Sequence, residues 1–206
     1  LWATALAWYA HPRRLDPRSY FLFAGCSNPA ATFGYVNAAF ELRAQVGRGE
    51  CPLPAEIVVA AGSAATLAGL TLGCALAGLD SRVIGVRVAP AKVGPFDACT
   101  PAVVRAMMQR ALRTLVTVDP TLAGYTLPPV DLRDDWYGEG YGTATPAGTR
   151  ATAIAAADGI PLEATYSAKA FAAALDRLAA GVGPVLFWDT FSSRPLPFET
   201  APAGKN

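Results

Sequence analysis

Histidine is almost missing from this chain: His11 stands alone among 206 residues. A histidine-rich metal centre or a serine–histidine–aspartate triad therefore has little to build on. Lysine is nearly as scarce, occurring at Lys92, Lys169 and Lys205. Only 16% of residues are charged, and 17 basic against 16 acidic side chains leave a net charge of +1. A nucleic-acid-binding surface needs a basic stripe, so no nucleic acid partner is expected. The four cysteines, Cys26, Cys51, Cys74 and Cys99, include no C-x-x-C pair, which disfavours zinc. Free thiols in a reducing, cytoplasmic compartment are the expectation. No basic segment followed by an apolar run marks a signal peptide. Composition also excludes collagen, disordered and disulfide-scaffold classes. There is no initiating methionine; Leu1 comes first, and the true N-terminus is expected to lie elsewhere.

Charge is absent altogether from Ile57 to Leu79, a run long enough to match a membrane span by length. Its texture argues otherwise. Ile57-Val58-Val59 is short and β-branched, Ala61-Gly62-Ser63 interrupts, a small-residue helical pattern follows, and Val83 to Val88 reads as a second strand. That is a βαβ unit, whose parallel strands are buried on both faces and so read as continuously apolar. No membrane contact is expected.

What is present is apolar mass: 52% of the residues, in a length suited to one domain or a large piece of a two-domain protein. A chain this size buries about 70% of its unfolded surface. Leu6 to Tyr9 reads as helix, His11 to Arg18 as a charged link, and Tyr20 to Ala24 as a short strand. Ser27 or Asn28 can cap a helix with Pro29 in its first turn, and Phe33, Val36 and Phe40 give that helix an apolar face. Thr100 to Thr117 predicts a helix with Met107, Met108, Leu112 and Leu115 inward. Helices start near Thr145-Pro146 and Ser167, and Val185 to Trp188 predicts a late buried strand. The alternation predicts an α/β fold, a mainly parallel open sheet with helices on both faces.

Three loops carry candidate chemistry. Gly62-Ser63-Ala64-Ala65-Thr66 joins a strand to a helix. Its main-chain N–H groups and hydroxyls make an anion site, or its small residues merely permit a tight βα turn. Gly138-Glu139-Gly140-Tyr141-Gly142 lets backbone approach a ligand under an aromatic ring, or forms an Ω-loop anchored by its aromatics. In Thr165-Tyr166-Ser167-Ala168-Lys169, Ser167 reads as a helix N-cap, Tyr166 as a core aromatic and Lys169 as a solvated charge when each is taken singly.

Taken together, in this order, the loops resemble the D-cysteine desulfhydrase and 1-aminocyclopropane-1-carboxylate deaminase family of fold-type-II pyridoxal-phosphate enzymes. The likeness runs through Gly25-Cys26-Ser27-Asn28, Ala39-Phe40-Glu41-Leu42, Ala61 to Leu70, Val83 to Val86, Asp134-Asp135, Gly140-Tyr141-Gly142, Tyr166 to Ala170 and Gly183 to Phe187. It implies pyridoxal 5'-phosphate as cofactor and a tryptophan-synthase-β-like fold. Gly62, Ser63, Ala64, Ala65 and Thr66 would cradle the phosphate and Ser167 would face the pyridine nitrogen. Tyr166 and Tyr141 would serve as active-site tyrosines, and Ser27 and Asn28 would line the substrate cleft. A serine at position 167 leans toward the desulfhydrase branch, where threonine is usual, and away from the deaminase branch with its glutamate. The implied activity is elimination or deamination of a small amino acid, giving a 2-oxo acid, ammonia and sulfide, in a homodimer by family analogy.

Departures accompany the likeness. Nothing matches the family's Schiff-base lysine or its serine–asparagine motif, and Asp189-Thr190-Phe191-Ser192 stands where the family has His-Thr-Gly-Gly. Ala65 replaces a loop glycine, which would restrict a positive φ. The expected organisation is the end of an upstream region over 1–24, the C-terminal part of a pyridoxal-phosphate-binding domain over 25–195, and a tail over 196–206. The chain is then a piece of a longer enzyme and inactive alone. The alternative is a non-catalytic ligand-binding or structural derivative of the same fold.

Overall fold

The computed structural model describes Gly25 and residues 27–191. The expected helix at Leu6–Tyr9, the link at His11–Arg18, the strand at Tyr20–Ala24 and the tail over 196–206 lie outside the described residues, as does Cys26. Helix α1 (Pro29–Gly47) is followed by strand β1 (Glu56–Ala61), α2 (Ala65–Leu76) and β2 (Arg82–Arg87). A small hairpin, β3 (Lys92–Val93) with β4 (Phe96–Asp97), precedes α3 (Pro101–Val118), and β5 (Asp131–Arg133) follows. Helices α4 (Pro146–Ala157) and α5 (Ser167–Ala179) and strand β6 (Val185–Trp188) complete the order. The uncharged run is thus β1, a turn and α2, and no helix among the described residues is long and apolar enough to cross a membrane.

The main sheet has the order β5-β2-β1-β6, every neighbouring pair parallel. Side chains of β1 alternate across it as the strand period requires. Ile57, Val59 and Ala61 join a core with α1, α2 and α3, whereas Val58 packs with Ile84, Val86 and Val88 against Ala170, Ala173 and Ala174 of α5. Helices therefore cover both faces. Fully burying each of Ile57, Leu67, Leu70 and Leu72 contributes about 1.5–3 kcal/mol, which fixes the β1–α2 junction that bears the first loop.

Helix α1 begins as its sequence dictates: Asn28 Oδ1 accepts from Ala31 N at 2.8 Å and Pro29 occupies the first turn. Its buried face is Thr32, Val36, Ala39 and Leu42. Phe40, expected inward, is exposed. The reason is the closeness of α2: a Cβ on Gly69 would sit 2.5 Å from Thr32 O, and one on Gly73 2.8 Å from Val36 Cα. Two glycines four apart form a groove on α2 that admits small side chains and backbone, with no space for a phenyl ring.

Other expectations need adjustment too. In α3 the buried residues are Val104, Met108 and Ala111, with Met107, Leu112 and Leu115 packed at the margin. Leu178 of α5 is exposed, because that helix meets the sheet through alanines. Strand β6 is half-buried, since only β1 flanks it among the described strands. Strands β3, β4 and β5 escape the sequence pattern because they are two or three residues long and carry charge at Lys92, Asp97, Asp131 and Arg133.

Candidate active site

Strand β1 ends at Ala61, Gly62 and Ser63 follow it, and α2 opens at Ala65. Between them Ala64 adopts a left-handed conformation, φ +73°, and provides no side-chain cap. The first backbone bond of the helix runs from Ala68 N to Ala64 O, so the amides of Ala65, Thr66 and Leu67 precede it and retain donor capacity. With the helix dipole behind them, these donors favour an anion. A left-handed alanine costs about 1–3 kcal/mol, strain that persists only where the surroundings impose it. The strained position is Ala64, whereas Ala65, the expected one, is simply the first helical residue.

Above this loop lies a cavity of about 130 Å³ lined by Ala60, Ala61, Gly62, Ser63, Ala64, Thr66, Leu67, Tyr166 and Thr190. No charged side chain lines it, and three hydroxyl-bearing residues besides Tyr166 do. Gly62 brings the loop close under Tyr166: a Cβ there would sit 3.2 Å from Cε1 of the ring, which would have to give by a few tenths of an ångström. Ser27 Oγ donates to Ser63 O at 2.5 Å, and Ser63 Oγ donates to Gly25 O at 3.3 Å. The segment before α1 is thereby stitched to the loop. Gly25 has φ +71°, and a Cβ on it would collide with the Ser63 side chain. Asn28 stands next to Ser27, but its Oδ1 is committed to capping α1.

The second loop hangs on α5. Tyr141 and Tyr166 share a hydrogen bond between their hydroxyls, their rings edge-to-face at 6.0 Å and 79°. Burial first, then this bond, push the Tyr166 phenol up to about 12, so it keeps its proton at neutral pH. Trp136 Nε1 donates to Asp176 Oδ2 at 2.7 Å. Arg87, at the end of β2, pairs with Asp134 at 2.6 Å and lies 4.7 Å from the Tyr137 ring centroid. Lys169, expected to be solvated, is instead fully buried, its Nζ donating to Tyr137 O at 2.8 Å and Gly140 O at 3.1 Å.

Ser167 corrects another expectation. It is the first residue of α5, and the cap is the carboxylate of Glu163, which accepts from the main-chain N of Thr165, Tyr166 and Ser167. The buried Ser167 hydroxyl accepts from Glu163 N at 2.8 Å and donates to Glu163 O at 3.3 Å. A carboxylate four residues upstream outcompetes a hydroxyl because a charged acceptor bonds amides more strongly and also meets the helix dipole.

The cavity thus unites Gly62, Ser63, Ala64, Thr66 and Tyr166, with Tyr141 attached through Tyr166 and Ser27 through Ser63. Ala65, Ser167 and Asn28 do not line it. Sequence reasoning missed Thr190 as a lining residue, although it follows the strand beside β1 at the C-terminal edge, where parallel sheets bind ligands. It also missed Glu163. A larger cleft of about 580 Å³ lies at the opposite edge, where β2 and β5 begin, lined by residues including Thr71, Cys74, Arg82 and Asp131. It lacks a helix N-terminus. An anion-receptive loop free of acidic side chains, with glycine under an aromatic ring, suits the phosphate of pyridoxal phosphate.

Comparison with known proteins points the same way. A family model described as "Pyridoxal-phosphate dependent enzyme" matches residues 3–186. D-cysteine desulfhydrase of Serratia proteamaculans (strain 568) is 32% identical over 178 residues, covering 84% of this chain and 50% of that protein. The enzyme of the same name from Yersinia pestis (strain Pestoides F) is 34% identical over the same extents. A crystal structure of an ACC deaminase homologue superposes with a TM-score of 0.61 at 25% identity, over 90% of this chain and 52% of that one. The chain spans about half the length of the curated relatives it matches.

Proposed function

The chain belongs to the pyridoxal-phosphate dependent enzymes, and on that premise we propose that it serves the elimination or deamination of a small amino acid, as its D-cysteine desulfhydrase relatives are named for. The observation that carries this reading is the loop Gly62–Thr66, with uncapped amides at the start of α2 and Tyr166 above it. Pyridoxal phosphate, when bound, supplies the electron sink that makes loss of a proton from Cα of an amino acid accessible.

The chain's own part is binding, orientation and proton retention. The amides of Ala65 to Leu67 and the hydroxyls of Ser63 and Thr66 would hold the phosphate, the Ser63 hydroxyl giving up Gly25 O to do so. The Tyr141–Tyr166 pair closes one side of the cavity and keeps a proton on Tyr166 Oη across the physiological range. The resemblance would set Ser167 against the pyridine nitrogen, but its buried hydroxyl is bonded to Glu163 N and O and does not line the cavity, so no role toward the ring is proposed for it. Ser27, bonded to the loop at Ser63 O, and Asn28 beside it would line the substrate side of the cleft.

The Schiff-base lysine is assigned to a segment outside these 206 residues. Neither lysine among the described residues lines the cavity: Lys92 is exposed on the β3–β4 hairpin, and Lys169 is spent on two carbonyls. Residues 25–195 then form the C-terminal part of a cofactor-binding domain, in a cytoplasmic enzyme that pairs as a homodimer.

The test is release of sulfide and ammonia from D-cysteine by the protein of the full reading frame, with pyridoxal phosphate present. Activity there, and none from the 206-residue chain alone, supports the proposal. A full-length protein that binds pyridoxal phosphate yet releases neither product, from D-cysteine or from 1-aminocyclopropane-1-carboxylate, would overturn it in favour of a non-catalytic derivative.

A further inference from the structure

Lys169 is among the largest fully buried side chains of the molecule, at 0% exposure. Burying an ammonium is costly unless its donors are satisfied, and an apolar side chain would fill such a slot with no desolvation cost. No carboxylate is within ion-pair distance of it among the described residues. Its donors instead serve main-chain oxygens: Tyr137 O at 2.8 Å and Gly140 O at 3.1 Å. The ammonium also lies 5.3 Å from the Tyr137 ring centroid. Both oxygens belong to one turn, and Gly140 directly precedes Tyr141.

On α5 the attachments recur on one face. Tyr166 binds Tyr141, Lys169 three residues on binds Tyr137 and Gly140, and Asp176 binds Trp136. Removing Tyr166 or Asp176 would leave a hydroxyl or an indole N–H that water can reach. Removing Lys169 would leave two half-buried carbonyls without their donor, in a turn with no helix or strand to take them.

We propose that Lys169 is the positioning residue for Tyr141, its ammonium fastening the turn at Tyr137–Gly140 to α5 so that the two tyrosine hydroxyls meet over the cavity. The inference rests on the reading of that pair as part of the active site. The other charged groups around the turn cannot substitute: Arg87 is paired with Asp134, and Glu163 is engaged at the start of α5. Burial lowers the Lys169 pKa, with Glu163 opposing that shift from the segment just before α5. Two carbonyl acceptors nevertheless favour the charged form.

The experiment compares the full-length holoenzyme with its Lys169→Met and Lys169→Arg variants by amide hydrogen exchange and tyrosine ultraviolet titration. In Lys169→Met, the Tyr137 and Thr143 amides should exchange about 10- to 100-fold faster, because charge-assisted bonds are lost. The late-titrating phenol at about 12 should move toward the ordinary tyrosine value as Tyr141 leaves it. Amides of Gly62 to Leu67 should keep their protection. Lys169→Arg, which retains donors, should recover part of both signals. Unchanged loop exchange and an unchanged late phenol in Lys169→Met would overturn the inference. Should that variant fail to fold, the unsubstituted protein labelled with ¹⁵N-lysine still decides. A slowly exchanging ammonium resonance at neutral pH supports the tie, and its absence refutes it. Loss of loop order with undiminished sulfide release would leave the tie standing and overturn the role given to the tyrosines, so the two readings fail separately.

Discussion

The loop that lines the cavity and the loop joined to it through Tyr166 are built by opposite means. Gly62–Thr66 is held by main chain: it continues β1, turns through a left-handed Ala64 and becomes α2, whose glycines let α1 lie against it. The loop from Asp134 to Gly142 has almost no regular structure, and side chains hold it at Arg87, Lys169, Asp176 and Tyr166. A phosphate needs fixed donors, and donors on the backbone of a packed βα junction are the most rigid available. A loop that would face substrate, as proposed for this one, is better tied by bonds that can be made and broken one at a time. The first loop should therefore respond to changes in volume, and the second to changes in hydrogen bonding.

Substitutions that separate these responses test the contrast. Gly62→Val should have the largest effect, since even its Cβ would press on Tyr166. Pyridoxal phosphate affinity, measured by fluorescence titration, should fall about 10- to 100-fold, the equivalent of ordinary overpacking. Equal loss of affinity in Lys169→Met would erase the distinction between the loops. Tyr141→Phe removes one hydrogen bond and should lower stability by about 1 kcal/mol in urea unfolding.

That variant also has a signature in pH. Because the folded-state pKa of Tyr166 is raised, its contribution to stability is full below the ordinary tyrosine value and disappears as pH rises through about 12. Tyr141→Phe should lower that upper limit. The limit should still exceed the ordinary value, because burial, the larger cause, remains. A late phenol unmoved by Tyr141→Phe would contradict the pairing.

Ala64→Gly should stabilise the chain by about 0.5–1 kcal/mol, since glycine adopts φ +73° without strain. Destabilisation in the same unfolding assay would place the strain elsewhere. The smallest effect concerns thiols. Burial pushes Cys74 and Cys99 up to about 11, and Cys99 Sγ donates to Ala61 O beside the first loop. Aromatic disulfide reagents at pH 8 should modify the half-buried Cys51 well before either. Early reaction of Cys99 would show the first loop to be less rigid than its packing requires.

The unequal construction also explains what the sequence disclosed. The βαβ unit was legible because a buried parallel strand and its helix write their burial as uncharged residues from Ile57 to Leu79. Helix starts at Asn28, Thr100 and Thr145 were legible because capping is local, each side chain bonding an amide three residues on. The polar supports of the second loop were not. The partners of Lys169 lie 29 and 32 residues away, and a lysine on a helix reads as solvated until the fold brings carbonyls to it. Glu163 displaced Ser167 as the cap because its longer side chain reached forward across four residues. Phe40 turned outward for a tertiary reason, the glycine groove on α2, that periodicity in α1 alone does not encode. Ala64 took the left-handed φ that the motif comparison had placed one residue later.

The function proposed requires that the amides opening α2 receive the cofactor phosphate. Its most direct test is a ¹H–¹⁵N spectrum of the chain titrated with pyridoxal phosphate and, separately, with inorganic phosphate. The largest shifts from both are expected at Ser63 to Leu67, with a further response at Tyr166 from pyridoxal phosphate alone. Shifts concentrated at the opposite cleft, around Thr71 and Ser81 to Val83, with Ser63 to Leu67 unmoved, would contradict it.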